Sequence, residues 1–217
     1  MSRKSTLSIP EALIVGGICF GLFILLSFQA MLAGFPDAPF SDAGMVWGLG
    51  CELVLAAAAL TFLRARGFDI ASLAPQPTLK GSAAGLGLFF GAWLLGAVVT
   101  SMFQDVQGSQ PIERMVSESR LSMPVIIAFA LVNATFEEVF FMGVLVRGLR
   151  SHGLSIAIGL PLLMRVLGHL YQGPMGVLWI LAFGLLFSIC YVRRPVLWPL
   201  VLAHILWDIY PFTTLAE

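Results

Sequence analysis

Seven stretches of about 20 mostly apolar residues follow one another along this chain of 217 residues. They cover 11–35, 43–64, 81–102, 122–147, 153–171, 174–192 and 195–214. An α-helix needs about 20 such residues to cross a bilayer. Only 11% of the residues are charged, against about 25% in soluble domains, so the chain lacks the surface that water requires. The sequence therefore predicts an all-α polytopic membrane protein with about seven transmembrane helices.

The first apolar stretch is too long for the core of a signal peptide, and further spans follow it, so we expect it to be retained. The absence of a targeting extension before it fits a plasma membrane of prokaryotic type. The formal net charge of +0 gives no sign of a nucleic-acid partner. Membrane lipid is the partner that the composition predicts.

Basic residues between the spans indicate the orientation. One side of the layout holds Arg3, Lys4, Arg64, Arg66, Lys80, Arg147, Arg150, Arg193 and Arg194. The loops of the other side hold Arg114 and Arg120, with Asp37, Asp42, Asp105, Glu113 and Glu118. Because Lys and Arg accumulate on the cytoplasmic side, we expect a cytoplasmic N-terminus and a C-terminus on the far side.

Polar residues within the predicted spans divide the chain into two halves. The first three spans are rich in small residues that let helices approach closely, and Glu52 is their main ionisable group. The last four spans hold Asn133, Thr135, Glu137, Glu138, Arg165, His169, His204 and Asp208. Ionisable residues at membrane depth are candidates for function. We therefore predict a packing half, 1–120, and a catalytic core of four helices, 121–217, and assign Glu52 no role.

The spacing of these residues predicts shared helix faces. His204 and Asp208 are four residues apart, so they share a face, and the carboxylate can fix the tautomer of the imidazole. Glu137 lies above Asn133 by the same rule. Glu138 points about 100° away from Glu137, which predicts different roles for the two carboxylates.

The depth in the membrane at which the candidate residues lie indicates which of them can meet. Glu137 precedes Arg147 by ten residues and His204 follows Arg194 by ten, which places both side chains roughly 15 Å from the same membrane surface. They can therefore face each other across the bundle.

His169 fits this depth only if its span is interrupted. It follows His152 by 17 residues, or roughly 25 Å of continuous helix. Pro161 predicts a break, since proline removes a helical hydrogen bond. If 153–160 lies along the surface, His169 returns to the depth of Glu137 and His204.

One carboxylate and two histidines in a water-accessible pocket can activate water, directly or through a divalent metal. The natural target is an amide bond. His169 and His204 are the candidate metal ligands, although an isolated intramembrane histidine more often bridges helices by hydrogen bonds. No HExxH zinc motif is present.

Three segments, "EEVFFMGVL", "GHLYQGPMG" and "LWPLVLAHILWD", resemble the motifs of the CPBP family of intramembrane proteases. This family includes CAAX-prenyl endopeptidases and Abi-type membrane proteins. The resemblance implies that Glu137 and His169 activate the attacking water. It also implies that His204 and Asp208 stabilise the oxyanion or help to hold a metal such as zinc. Family members have been treated both as metalloenzymes and as metal-free glutamate proteases.

The chain departs from the family pattern at two positions. Met142 stands where the family has an arginine, and Arg165 stands where it has a phenylalanine. Our hypothesis is that Arg165 pairs with Glu138 across the helix interface and leaves Glu137 free for catalysis.

The expected function is hydrolysis of a peptide bond near the membrane, on a peptide or protein substrate that arrives from the lipid or the cytoplasmic face. Prenylated CAAX peptides are the substrates that the resemblance implies. Two alternatives stay open: a catalytically silent scaffold or immunity-type protein of the same fold, and a proton-coupled transporter.

Overall fold

The computed structural model describes residues 4–35, 38–103 and 110–214. Arg3, Asp37 and Asp105, which entered the prediction of orientation, lie outside these ranges. The described residues form helices and no strands, which confirms the all-α prediction. The α-helices are α1 Ile9–Leu32, α2 Asp42–Ala65, α3 Leu79–Met102, α4 Pro111–Ser117, α5 Met123–Glu138, α6 Arg147–Leu149, α7 Leu154–Gly168, α8 Gly173–Arg193 and α9 Trp198–Thr214. A π-helix, Val139–Val146, joins α5 to α6, and short 3₁₀ turns lie at Ile70–Leu73, Arg150–His152 and Leu170–Gln172.

Hydroxyl side chains determine where the first three helices begin. Ser8, Ser41 and Thr78 each accept a hydrogen bond from a backbone N–H in the first turn of the helix that follows. These contacts satisfy amide groups that would otherwise have no partner at the end of a helix. The apolar runs therefore become helices of 24 residues each, which is long enough to cross a bilayer.

Five described helical segments are long and apolar enough to cross a membrane: Ile9–Leu32, Asp42–Ala65, Leu79–Met102, Met123–His152 and Leu170–Arg193. The chain is therefore an integral, multi-pass membrane protein. Two of the seven predicted spans are shorter as helices, since α7 has 15 residues and α9 has 17.

The break expected at Pro161 does not occur, and that prediction was wrong. Helix α7 continues through Pro161, which is buried, so 153–160 is not a separate surface segment. Proline removes only one backbone hydrogen bond, and packing on both sides can hold such a helix together. Helix α7 has this support because it packs against α1 and α8.

The centre of the bundle is α5 with its π-helical continuation. Helix α5 packs against α2 and α9, and the π-helix contacts α1, α7 and α8. Every residue from Phe140 to Val146 is buried, so this segment has no face left for lipid. Helices of both predicted halves therefore enclose the segment that carries Glu137 and Glu138.

Candidate active site

The two glutamates lie where the central helix changes its winding. Helix α5 ends at Glu138, and the π-helix begins at Val139. Short π-helical segments are rare and often mark functional sites. No feature of the sequence predicts this change, because the apolar run through 139–146 fits either winding.

A buried ion pair joins α7 to α5. Nη2 of Arg165 lies 2.6 Å from Oε1 of Glu138, and the two side chains are 2% and 0% exposed. This distance confirms the predicted pairing of the two residues. The guanidinium carbon also lies 4.5 Å from the ring centre of Phe141 and 5.5 Å from that of Phe183, within the range of cation–π attraction.

Arg165 contacts the other glutamate as well. The same Nη2 atom lies 3.6 Å from Oε2 of Glu137. The angular separation of about 100° therefore does not keep the two carboxylates apart, because one cation reaches both. Glu137 is therefore not free of Arg165, contrary to what the hypothesis supposed. However, the distance from Nη2 of Arg165 to Glu137 is 1 Å longer than the distance to Glu138.

His204 links the ion pair to α9. Its Nδ1 lies 2.8 Å from Oε1 of Glu138, and its Nε2 lies 3.4 Å from Oδ1 of Asp208. The other oxygen of Asp208, Oδ2, accepts a hydrogen bond of 2.9 Å from the Asn133 amide on α5. The predicted contact of His204 with Asp208 is thus present, and Asn133 ties the pair back to the central helix.

His169 follows the last residue of α7, and its imidazole lies near the Oε1 atom of Glu137. Its Nδ1 lies 2.7 Å from the backbone oxygen of Arg165, and since a carbonyl only accepts, Nδ1 carries the proton. Nε2 is then the unprotonated nitrogen in the neutral ring, and it lies 3.8 Å from Oε1 of Glu137. That separation exceeds a direct hydrogen bond and leaves room for a bridging water.

The turn after His169 is anchored to the first helix. The backbone N–H of Tyr171 donates a 3.0 Å hydrogen bond to Oγ of Ser27 on α1. The rings of His169 and Tyr171 are stacked, with centres 6.2 Å apart. Helix α1 therefore helps to set the position of the imidazole.

Three side chains of the site could offer ligand atoms to a divalent metal. Among the described residues, Glu137, Glu138 and His204 offer ligand atoms within 4.8 Å of one another, whereas His169 is not part of this group. However, Arg165 lies within salt-bridge distance of both carboxylates, so a cation is already there. A metal would meet that positive charge at close range, and Nδ1 of His204 is engaged by Glu138. The residues do not fit a divalent metal.

One further carboxyl group reaches this region from α2. Glu52 is buried and lies within electrostatic range of Glu137, His204 and Asp208. Sequence reasoning assigned it no role. The one feature of the sequence that could have indicated a role is that Glu52 is a single glutamate among small residues near the middle of a predicted span.

Comparison with known proteins agrees with this geometry. Residues 119–210 match the family described as Type II CAAX prenyl endopeptidase Rce1-like. No curated protein and no solved structure matches the chain. The matched range includes α5, the π-helix and α7 to most of α9, which supply the clustered side chains from Asn133 to Asp208. The resemblance to CPBP proteases is thereby confirmed, since residues 119–210 of this chain are similar to the Rce1-like family of type II CAAX prenyl endopeptidases.

Proposed function

We propose that this protein is an intramembrane endopeptidase that hydrolyses a peptide bond without a metal, using a water activated by Glu137 and His169. The observation that carries the proposal is the convergence of side chains from α5, α7 and α9 on one buried cluster. A purely structural role does not require two carboxylates to share a single guanidinium beside two histidines.

Glu137 is the general base in this mechanism. A water between Glu137 and His169 donates one hydrogen bond to the carboxylate and one to Nε2 of the imidazole. Glu137 takes the proton as the water oxygen attacks the carbonyl carbon of the peptide. The bond from His169 to the Arg165 carbonyl supports this step because it fixes the ring with Nε2 toward the water.

His204 stabilises the oxyanion that forms. Its Nε2 lies 3.4 Å from Asp208, longer than an ordinary N–H···O hydrogen bond, which leaves a hydrogen on Nε2 available to a nearby oxyanion. Arg165 and Glu138 form the fixed pair that holds His204 and lends positive charge to the site. In this proposal Arg165 and Asn133 position other groups and do not react.

The substrate approaches from the lipid or the cytoplasmic face. The proposed topology has a cytoplasmic N-terminus in a prokaryotic plasma membrane, as the distribution of basic residues favours. The family name favours a peptide with a prenylated C-terminal CAAX sequence as the first substrate to test.

The test is cleavage of such a peptide by the purified protein in detergent, where no ion gradient exists. Glu137→Gln is expected to abolish cleavage and leave the melting temperature unchanged. The control is Glu118→Gln, which alters an exposed glutamate at the end of α4. Cleavage by Glu137→Gln at the wild-type rate would rule out this mechanism. A folded wild-type protein that cleaves no CAAX peptide would favour the scaffold.

A further inference from the structure

Glu52 is a buried acid that the proposed mechanism has not used. It lies on α2, outside the residues that match the protease family. Only 5% of the residue is exposed, and its Oε2 is fully buried with no hydrogen-bond partner in the described chain. A buried carboxyl group without a partner is costly, and such groups often mark function.

The charged groups around Glu52 belong to the candidate site. Helix α5 contributes Glu137, and α9 contributes His204 and Asp208. Of the other elements that pack on α2, α1 carries Cys19 and also Glu11, which pairs with Lys4 and Arg66 at the far end of α2. The 3₁₀ turn Ile70–Leu73 carries no ionisable side chain. Two of these three charged groups are therefore acidic.

The cations of the site are already engaged by other carboxylates. Arg165 lies against Glu138 and Glu137, and His204 lies between Glu138 and Asp208. Among described residues, no basic side chain forms an ion pair with Glu52. An additional buried negative charge beside two acids is unfavourable, whereas a neutral carboxylic acid is tolerated.

Neither histidine is placed to protonate the leaving group. Nδ1 of His169 donates to the Arg165 carbonyl, and its Nε2 faces the base. Nδ1 of His204 is engaged by Glu138, and its Nε2 is assigned to the oxyanion. Peptide hydrolysis also requires a proton for the leaving nitrogen, and neither ring is placed to supply it.

We propose that Glu52 is the general acid that protonates the leaving amine, an inference that rests on the proposed peptidase function. Glu137 first removes a proton from water, and the C–O bond forms to give a tetrahedral intermediate. The C–N bond then breaks as the Glu52 carboxyl gives its proton to the nitrogen. The products are a carboxylic acid and an amine. A proton passes from Glu137 to Glu52 and restores both groups.

The test compares an amide substrate with an activated ester of the same acyl peptide. The ester has a nitrophenolate leaving group, which departs without a proton. Glu52→Gln keeps the size of the side chain but has no acidic proton. It is expected to lower kcat for the amide by about 10²-fold or more, and to leave ester hydrolysis within a few-fold of wild type. Glu52→Asp should recover part of the amide activity.

The amide and ester rates together distinguish a general-acid role of Glu52 from a structural one. Wild-type amide cleavage by Glu52→Gln would mean that Glu52 only packs, and equal loss on both substrates would assign it to the fold or to water activation. Either result overturns the proposal. Glu137→Gln, run in parallel, should lose both activities. If it retained them, the proposed function would fail independently of Glu52.

Discussion

Arg165 on α7 and Glu138 on α5 form a 2.6 Å ion pair in the interior of the bundle. In the family pattern an arginine follows the second glutamate of the pair by four residues, whereas here Met142 occupies that position and the cation comes from another helix. Met142 is buried, and its sulfur lies 3.9 Å from the hydroxyl oxygen of Ser188. The positive charge beside Glu138 therefore comes from α7 and not from the helix that carries the glutamate.

Removal of this cation should destabilise the protein. Arg165→Met leaves Glu138 buried beside His204 without its guanidinium, and breaking one partner of a buried pair costs about 3–5 kcal/mol. We expect a lower melting temperature in detergent and loss of cleavage. The double variant Arg165→Met with Met142→Arg should regain part of the stability, because the arginine returns one turn from Glu138. Unchanged melting of the single variant would contradict this role for the pair.

Cleavage should not depend on a divalent metal. Arg165 already supplies positive charge to Glu137 and Glu138, so dialysis against a chelator should leave activity and melting temperature unchanged. Elemental analysis of the active protein should find less than one zinc per chain. Loss of activity on chelation, restored by added zinc, would show that the guanidinium moves aside for a metal.

Gly184 on α8 provides the space in which Arg165 lies. A Cβ atom there would come 2.7 Å from Cδ1 of Leu162 and 3.3 Å from Cδ of Arg165. Gly184→Ala should therefore displace the arginine and reduce both stability and kcat, even though alanine favours the helix by about 1 kcal/mol. The matched control is Gly91→Ala on α3, where a Cβ meets nothing within 4 Å, and it should be neutral or slightly stabilising. Equal melting of both variants would contradict the close approach.

Asn133 should act through Asp208. Its amide donates the 2.9 Å hydrogen bond that holds the carboxylate near His204. Asn133→Leu should lower kcat about tenfold with little change in KM, because a loosened His204 weakens oxyanion stabilisation. Stability should fall by about 1 kcal/mol, as expected for one lost hydrogen bond. A change confined to KM would instead indicate that Asn133 binds substrate.

Local spacing, together with the resemblance to CPBP proteases, predicted much of this arrangement. Residues four apart share a helix face, which placed His204 beside Asp208. The position of Arg165, which differs from that of the arginine in the family motif, suggested its pairing with Glu138. Effects that depend on packing were missed: the neighbours of α7 keep it intact through Pro161, and the winding changes after Glu138. The position of Glu52 beside the site depends on the packing of α2 against α5, which no single helix reveals.

The origin of the arginine on another helix also affects how the protein enters the membrane. An arginine on the same helix would accompany Glu138 into the bilayer, whereas here each segment carries charge that the other must neutralise. A charged residue at the centre of a lone helix raises the free energy of insertion by about 2.5–3.5 kcal/mol. Biogenesis is therefore favoured when the segments containing α5 and α7 leave the translocon together, as a hairpin whose opposite charges already meet.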